Sequence, residues 1–140
     1  MALILAVDDD PLVRDAIARY LERDGHAVLH ATDGEDAARV LAGSATRIDV
    51  VITDIFMPQR DGLEVVRSLQ RAKQRPKVIA ITGAGASAHG WSPLTAAAAL
   101  GANTVLVKPF KGEDLCRLVS DLLDQAADEA DEPAEPSSQA

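Results

Sequence analysis

Four short apolar runs of the sequence end in side chains that could do chemistry. These side chains are carboxylates, a hydroxyl and an ammonium: Asp8, Asp9 and Asp10 after the first run, Asp54 after the next, then Thr82 and Lys108 at the ends of the last two. Carboxylates that converge in a partly buried cleft repel one another, and a hard cation such as Mg²⁺ relieves this repulsion by accepting oxygen ligands. A carboxylate can also attack phosphorus as a nucleophile, while a lysine and a hydroxyl hold the phosphoryl oxygens. The spacing therefore predicts phosphoryl chemistry at an acidic pocket that holds a divalent ion.

The elements that would bring these side chains together alternate strictly along the chain. Five apolar segments predict strands, and five amphipathic segments predict helices. The predicted strands are Leu3–Val7, Ala27–His30, Asp49–Thr53, Lys77–Ile81 and Thr104–Val107, and the predicted helices lie near residues 11–21, 35–41, 61–73, 92–100 and 115–123. This alternation is typical of an α/β fold with a doubly wound parallel sheet and helices on both faces. Ligands bind at the carboxyl ends of the strands in such sheets, where the candidate side chains lie.

Several polar residues have a structural explanation that needs no chemistry. Asp10 precedes a proline, which is typical of a helix N-cap, and Asp61 favours the start of the third predicted helix. We therefore interpret both as helix caps rather than ligands. The histidines His26, His30 and His89 lie away from the predicted pocket or have no neighbouring ligands, so we interpret them as non-catalytic.

Composition restricts the class of protein. With 140 residues, of which 47% are hydrophobic and 26% charged, the chain fits a single soluble globular domain. The single cysteine, Cys116, excludes an internal disulfide. No segment approaches the roughly 18 consecutive apolar residues of a membrane span, and no basic region precedes Leu3–Val7, so we expect a cytoplasmic protein without a signal peptide or membrane contact. The formal net charge of −8 argues against nucleic acid as a direct partner.

Five motifs carry a resemblance to a known family. They are Val7-Asp8-Asp9-Asp10-Pro11, Asp54-Ile55-Phe56-Met57-Pro58-Gln59-Arg60-Asp61-Gly62, Ile81-Thr82-Gly83, Gly101-Ala102 and Val107-Lys108-Pro109-Phe110. In this order and at the ends of predicted strands, they resemble the receiver domain of two-component response regulators, in particular single-domain receivers of the chemotaxis type. The resemblance covers roughly residues 3 to 125. It implies a flavodoxin-like sheet with the strand order 2-1-3-4-5 and five flanking helices.

The resemblance also implies a role for each candidate residue of the pocket. Asp54 is the implied phospho-acceptor, and Lys108 and Thr82 are the implied binding groups for the phosphoryl oxygens. The peptide bond before Pro109 is usually cis in the family.

The same resemblance implies a Mg²⁺ site beside the acceptor. Asp9 is the implied direct ligand, and Asp8 acts mainly through water. Asp54 and the backbone carbonyl of Phe56 complete the implied set of protein ligands.

The implied function is that of a stand-alone signalling switch rather than an enzyme, one that catalyses only its own phosphorylation and dephosphorylation. Its implied donor is a histidine kinase or a histidine phosphotransfer protein. Its implied target is a downstream protein that binds the face made by the fourth helix, the fifth strand and the fifth helix. Val105 stands where receivers commonly carry an aromatic switch residue, so coupling through such a ring is doubtful in this chain.

The C-terminal segment of the chain is strongly acidic. From Asp124 to Ala140 there are six acidic residues, no basic residue, two prolines and two serines. This composition is typical of a solvated, disordered extension. We therefore expect a receiver domain over residues 1–125 and an acidic disordered tail over residues 126–140.

Two alternative functions stay open from the sequence. The first is a receiver-like interaction module whose partner binding is independent of phosphate. The second is a Mg²⁺-dependent phosphatase with an aspartyl nucleophile. A purely structural ion-pair network is a weaker explanation of the acidic residues and Lys108, because buried ion pairs contribute little net stability.

Overall fold

All five predicted strands form one parallel sheet, in the order β2-β1-β3-β4-β5. The strands are β1 (Leu3–Val7), β2 (Ala27–Ala31), β3 (Val50–Asp54), β4 (Lys77–Thr82) and β5 (Thr104–Val107). The computed structural model describes residues 2–54, 76–82 and 102–131. The predicted helices near residues 61–73 and 92–100 lie outside these described ranges. The predicted α/β fold and its strand order are confirmed.

Three helices lie within the described residues. They are α1 (Pro11–Arg23), α2 (Gly34–Gly43) and α3 (Gly112–Asp131), and α3 corresponds to the fifth predicted helix. Asp10 caps α1 by accepting a hydrogen bond from the Leu12 amide at 2.9 Å, which confirms its interpretation as a cap. Asp33 caps α2 in the same way, since its carboxylate accepts from the Asp36 amide at 2.8 Å.

The core consists of one apolar cluster on each face of the sheet. The α1/α3 cluster packs both of those helices against one face, and its large members include Ile4, Ile17, Leu21, Val50, Ile52, Ile79, Ile81, Leu115 and Val119. The α2 cluster lies on the other face and includes Leu5, Val7, Ala37, Ile48, Val51, Val78 and Ala80. Because β1 and β3 are covered on both faces, their sequences are continuous apolar runs rather than alternating ones.

The start of β1 is held by side chains from both neighbouring strand segments. The Ala2 amide donates to Nδ1 of His26 at 3.1 Å, and the Leu3 amide donates to a carboxylate oxygen of Asp49 at 2.9 Å. These hydrogen bonds satisfy two amides at the start of β1, and they lie at the amino edge of the sheet, opposite the predicted pocket. His26 therefore has a structural role in this fold.

The acidic C-terminal segment begins as helix. α3 continues to Asp131, so the expectation of disorder from residue 126 is wrong for residues 126–131. Leu122 packs in the α1/α3 cluster, and the amino group of Lys77 contacts both carboxylate oxygens of Glu129 at 2.7 and 2.9 Å. The helix thus continues from the packed turn at Leu122 into an exposed stretch, where the ion pair of Glu129 with Lys77 is a long-range contact. Residues 132–140 lie outside the described ranges. Within those ranges, no helix has the length and hydropathy needed to cross a membrane.

Gly112, at the start of α3, packs directly under the ring of Tyr20 in α1. A Cβ at position 112 would overlap the Tyr20 ring, whereas a Cβ at Gly43 would meet nothing within 4 Å. We expect Gly112→Ala to displace that ring and lower the free energy of unfolding by about 1–3 kcal/mol, as overpacking usually does. Urea denaturation measures the change. The matched control Gly43→Ala should leave stability unchanged or slightly higher, and equal effects of the two substitutions would contradict this description of the α1–α3 contact.

Candidate functional site

The carboxyl ends of four parallel strands bring the predicted pocket residues to one edge of the sheet. Asp8 follows β1, Asp54 ends β3, Thr82 ends β4 and Lys108 follows β5. The registers, which pair Val7 with Thr53, Asp54 with Ile81 and Thr82 with Val107, align these strand ends. Asp8, Asp54 and Thr82 are only 1%, 8% and 0% exposed, so the site is largely removed from solvent.

Lys108 joins the two buried carboxylates. Its amino group donates to Oδ2 of Asp54 at 2.9 Å and lies 3.6 Å from Oδ2 of Asp8. The backbone positions Lys108 as well, since its amide donates to the Thr82 carbonyl oxygen at 2.7 Å. The Lys108–Pro109 peptide bond is cis, as the family resemblance implied.

The electrostatics of the site reflect two carboxylates held close together. Burial raises the pKa of Asp8 above its ordinary value, and the negative charge of Asp54 adds to the rise, although the Asp10 amide and Lys108 oppose it. Burial alone would lower the pKa of Lys108, but the hydrogen bond and charge of Asp54, together with the charge of Asp8, raise it above its ordinary value. The site therefore favours the charged form of Lys108 and disfavours the charged form of Asp8.

Two buried polar atoms in the pocket have no hydrogen-bond partner among the described residues. Oδ1 of Asp8 accepts a hydrogen bond from the Asp10 amide at 2.8 Å. Oδ2 of Asp8 and Oγ1 of Thr82 have no hydrogen bond to the described residues. A buried polar atom without a hydrogen bond costs free energy that a ligand can recover. Oδ2 of Asp8 suits a cation, and the Thr82 hydroxyl can donate a hydrogen bond to an anionic oxygen.

The described residues include three of the four predicted metal ligands. Asp8 and Asp54 both face Lys108, and Asp9 is exposed, but its side chain interacts with that of Asp8. In the part of the chain that the structure describes, no three acidic, histidine or cysteine side chains gather into a metal-binding group. The predicted carbonyl ligand of Phe56 lies outside the described residues. The donors present are oxygen atoms, one of them a buried carboxylate oxygen without a hydrogen bond, and this chemistry fits a hard cation such as Mg²⁺.

An apolar groove of about 700 Å³ opens beside Lys108. Four residues of α1 and the segment that follows β5 line it: Leu12, Val13, Ala16, Tyr20, Lys108, Pro109 and Phe110. Leu12 is 76% exposed, the largest exposed fraction among the big apolar side chains of the described residues. A contiguous apolar groove beside a buried reactive site, rather than a single exposed side chain, is typical of a contact surface.

Comparison with known proteins shows which family has this fold and pocket. The profile of the response regulator receiver domain family matches residues 4–120. The chain belongs to this family. Receiver domains are signalling switches of two-component systems, generally not enzymes, in which an aspartate is phosphorylated in the presence of Mg²⁺.

Receivers of known structure match the chain over nearly their whole length. A receiver domain protein from Clostridium thermocellum has a TM-score of 0.79 and 30% sequence identity, and the match covers 91% of this chain and 98% of that one. The chemotaxis response regulator CheY4 of Vibrio cholerae has a TM-score of 0.74 and 30% identity, with 87% and 98% covered.

Curated relatives of the receiver are longer than this chain. The transcriptional regulatory protein ResD of Bacillus subtilis (strain 168) is 32% identical over 124 residues, which are 89% of this chain and 49% of that protein. The response regulator MprA of Mycobacterium ulcerans (strain Agy99) is 35% identical over 132 residues, with 94% and 54% covered. The chain therefore spans about half the length of these relatives.

Proposed function

We propose that this receiver accepts a phosphoryl group on Asp54 from a histidine kinase or a histidine phosphotransfer protein, in a Mg²⁺-dependent reaction. The observation that carries the proposal is the contact between the partly exposed Lys108 and the buried Asp54, whose charged atoms lie 2.9 Å apart at the carboxyl end of β3. The hydrogen bond from Lys108 orients the Asp54 carboxylate, and an oriented carboxylate can act as a nucleophile.

The proposed transfer moves one phosphoryl group between two proteins. A carboxylate oxygen of Asp54 forms a bond to phosphorus while the bond from phosphorus to the donor's histidine nitrogen breaks, and that nitrogen leaves with the bonding electrons. Lys108 and Thr82 then hold the phosphoryl oxygens through an ammonium and a hydroxyl. Asp8, Asp9, Asp54 and the Phe56 carbonyl are the groups proposed to hold Mg²⁺, which when bound offsets the negative charge of the phosphoryl oxygens.

Locating the phosphoryl group tests this proposal. After incubation with a small-molecule phosphodonor and Mg²⁺, borohydride reduction converts an aspartyl phosphate to homoserine, and peptide mass spectrometry identifies the residue. We expect conversion at Asp54 alone. An unmodified Asp54 under conditions that label another receiver would favour the phosphate-independent interaction module instead.

We propose that the phosphodonor protein docks in the groove beside Lys108. A donor histidine can reach Asp54 only if its protein covers the mouth of the pocket, and Leu12 and Phe110 provide apolar contacts there. Leu12→Asp is expected to slow transfer from the cognate kinase by about tenfold, because loss of a well-packed apolar anchor at an interface costs about 1–2 kcal/mol. The rate with a small-molecule phosphodonor should not change.

Parallel assays with the two donors measure this difference. Ala127→Asp provides a control, because Ala127 is exposed in α3 and does not line the groove. Equal loss of rate with both donors would contradict the docking proposal, since it would point to damage at Asp54.

We further propose that the phosphorylated receiver signals to a protein target through the face made by the predicted fourth helix, β5 and α3. β5 is an edge strand of the sheet and its Val107 side chain is 44% exposed, so this part of the face is accessible to a partner. The predicted fourth helix lies outside the described residues. Stand-alone action, a cytoplasmic location and the absence of direct nucleic-acid contact stay predictions, and a related protein, ResD, carries the name of a transcriptional regulator.

A further inference from the structure

Thr53 is a buried polar residue next to the acceptor that the proposed chemistry does not use. The buried polar side chains of the described residues are Asp8, Thr53, Asp54 and Thr82, and the other three belong to the pocket. Thr53 is fully buried, and its hydroxyl donates to the backbone carbonyl oxygen of Asp54 at 3.1 Å. A threonine in a strand is ordinarily explained by its β-branched shape alone, but this hydroxyl has a specific partner.

The side chain of Thr53 lies on the opposite face of the sheet from the side chain of the acceptor. Its register partners Val7 and Ala80 both belong to the α2 cluster, whereas Ile81, the partner of Asp54, belongs to the α1/α3 cluster. Successive side chains of a strand alternate between the two faces. Thr53 therefore acts on Asp54 through the backbone and not through the phosphoryl group.

We propose that Thr53 is a positioning residue for phosphorylation, because its hydroxyl fixes the backbone carbonyl of Asp54 and so the orientation of the acceptor carboxylate. This inference rests on the proposed phosphorylation of Asp54. The carbonyl carbon is bonded directly to the Asp54 Cα, which carries the reactive side chain. The hydrogen bond from Thr53 to the carbonyl oxygen therefore restricts the backbone beside that side chain. Loose positioning of a reacting group lowers the rate without lowering the affinity for the other reactant.

Two substitutions separate the hydroxyl from the shape of the side chain. Thr53→Val keeps the shape and removes the hydroxyl, whereas Thr53→Ser keeps the hydroxyl and removes the methyl group. We expect Thr53→Val to lower the maximal rate of phosphorylation by acetyl phosphate about fivefold, which corresponds to the net loss of one hydrogen bond. The acetyl phosphate concentration at half-maximal rate should not change, and Thr53→Ser should restore most of the rate.

A packing role for Thr53 makes the opposite prediction, since Val preserves packing and Ser does not. Thr104→Val is the matched control, because it makes the same substitution at the start of β5 and should leave the rate unchanged. Intact-mass kinetics with Mg²⁺ measure all four proteins. A wild-type rate in Thr53→Val, or a Thr53→Ser rate as low as that of Thr53→Val, overturns the inference while the proposed function stands. A wild-type protein that is never phosphorylated overturns both.

Discussion

Lys108→Met is expected to slow the phosphorylation of Asp54 by about 100- to 1,000-fold, the usual effect of removing one group that stabilises developing charge in a closed site. The amino group of Lys108 lies 2.9 Å from Oδ2 of Asp54 and 3.6 Å from Oδ2 of Asp8. Without it, an incoming phosphoryl group meets two carboxylates and loses a fixed cation. The initial rate of adduct formation with a small-molecule phosphodonor and Mg²⁺ measures the effect.

Lys111→Met is the matched control for this prediction. Lys111 is exposed and lies three positions after Lys108, so it shares the local chain but not the pocket. Its substitution should leave the rate within about twofold of the wild type, because an exposed charge is screened by solvent. A Lys108→Met protein that folds normally and reacts as fast as Lys111→Met would show that Lys108 has no role in the transfer.

The second large effect concerns Mg²⁺ and Asp8. At a concentration ten times its dissociation constant, Mg²⁺ should stabilise the wild-type protein by about 1.4 kcal/mol, because it binds the folded state alone. Asp8→Asn removes a buried carboxylate whose pKa is raised by burial and by the charge of Asp54. We expect this substitution to abolish most of the Mg²⁺ stabilisation and to raise stability when Mg²⁺ is absent. Thermal unfolding with and without Mg²⁺ measures both changes.

Asp121→Asn is the control for Asp8→Asn. Asp121 is an exposed carboxylate of α3, remote from the strand ends, so its loss changes net charge equally but leaves the pocket intact. Mg²⁺ should stabilise Asp121→Asn as much as the wild type. An Asp8→Asn protein that retains the full Mg²⁺ shift would contradict the assignment of Asp8 to the cation site.

The fold could be predicted because each strand has a local signal. The central runs Leu3–Val7 and Val50–Asp54 are covered on both faces, so continuous apolar sequence marks them within one residue of their observed bounds. Asp10 and Asp33 mark two helix starts through capping, which is also a local interaction. The end of α3 could not be predicted from local composition. Its last turns include Glu129, which pairs with Lys77, a strand residue 52 positions earlier in the chain.

The pairing of Asp54 with Lys108 could also be predicted, since parallel strands place their carboxyl ends at one edge. The exposure of Asp9 could not, because it depends on how the backbone turns after β1, and three consecutive aspartates do not encode that turn. The hydrogen-bond partner of Thr53 could not be predicted either. Threonine is common in strands, and only the structure shows that this hydroxyl donates to the Asp54 carbonyl oxygen.

Intact mass after incubation with a small-molecule phosphodonor tests the central claim most directly. The wild type and Asp54→Asn are compared with Mg²⁺ and with a chelator in its place. Phosphorylation of Asp54 in a Mg²⁺-dependent reaction predicts one phosphoryl adduct in the wild type with Mg²⁺ and none in the other three samples. An adduct of equal yield in Asp54→Asn, or no adduct in the wild type while another receiver is labelled, would contradict it.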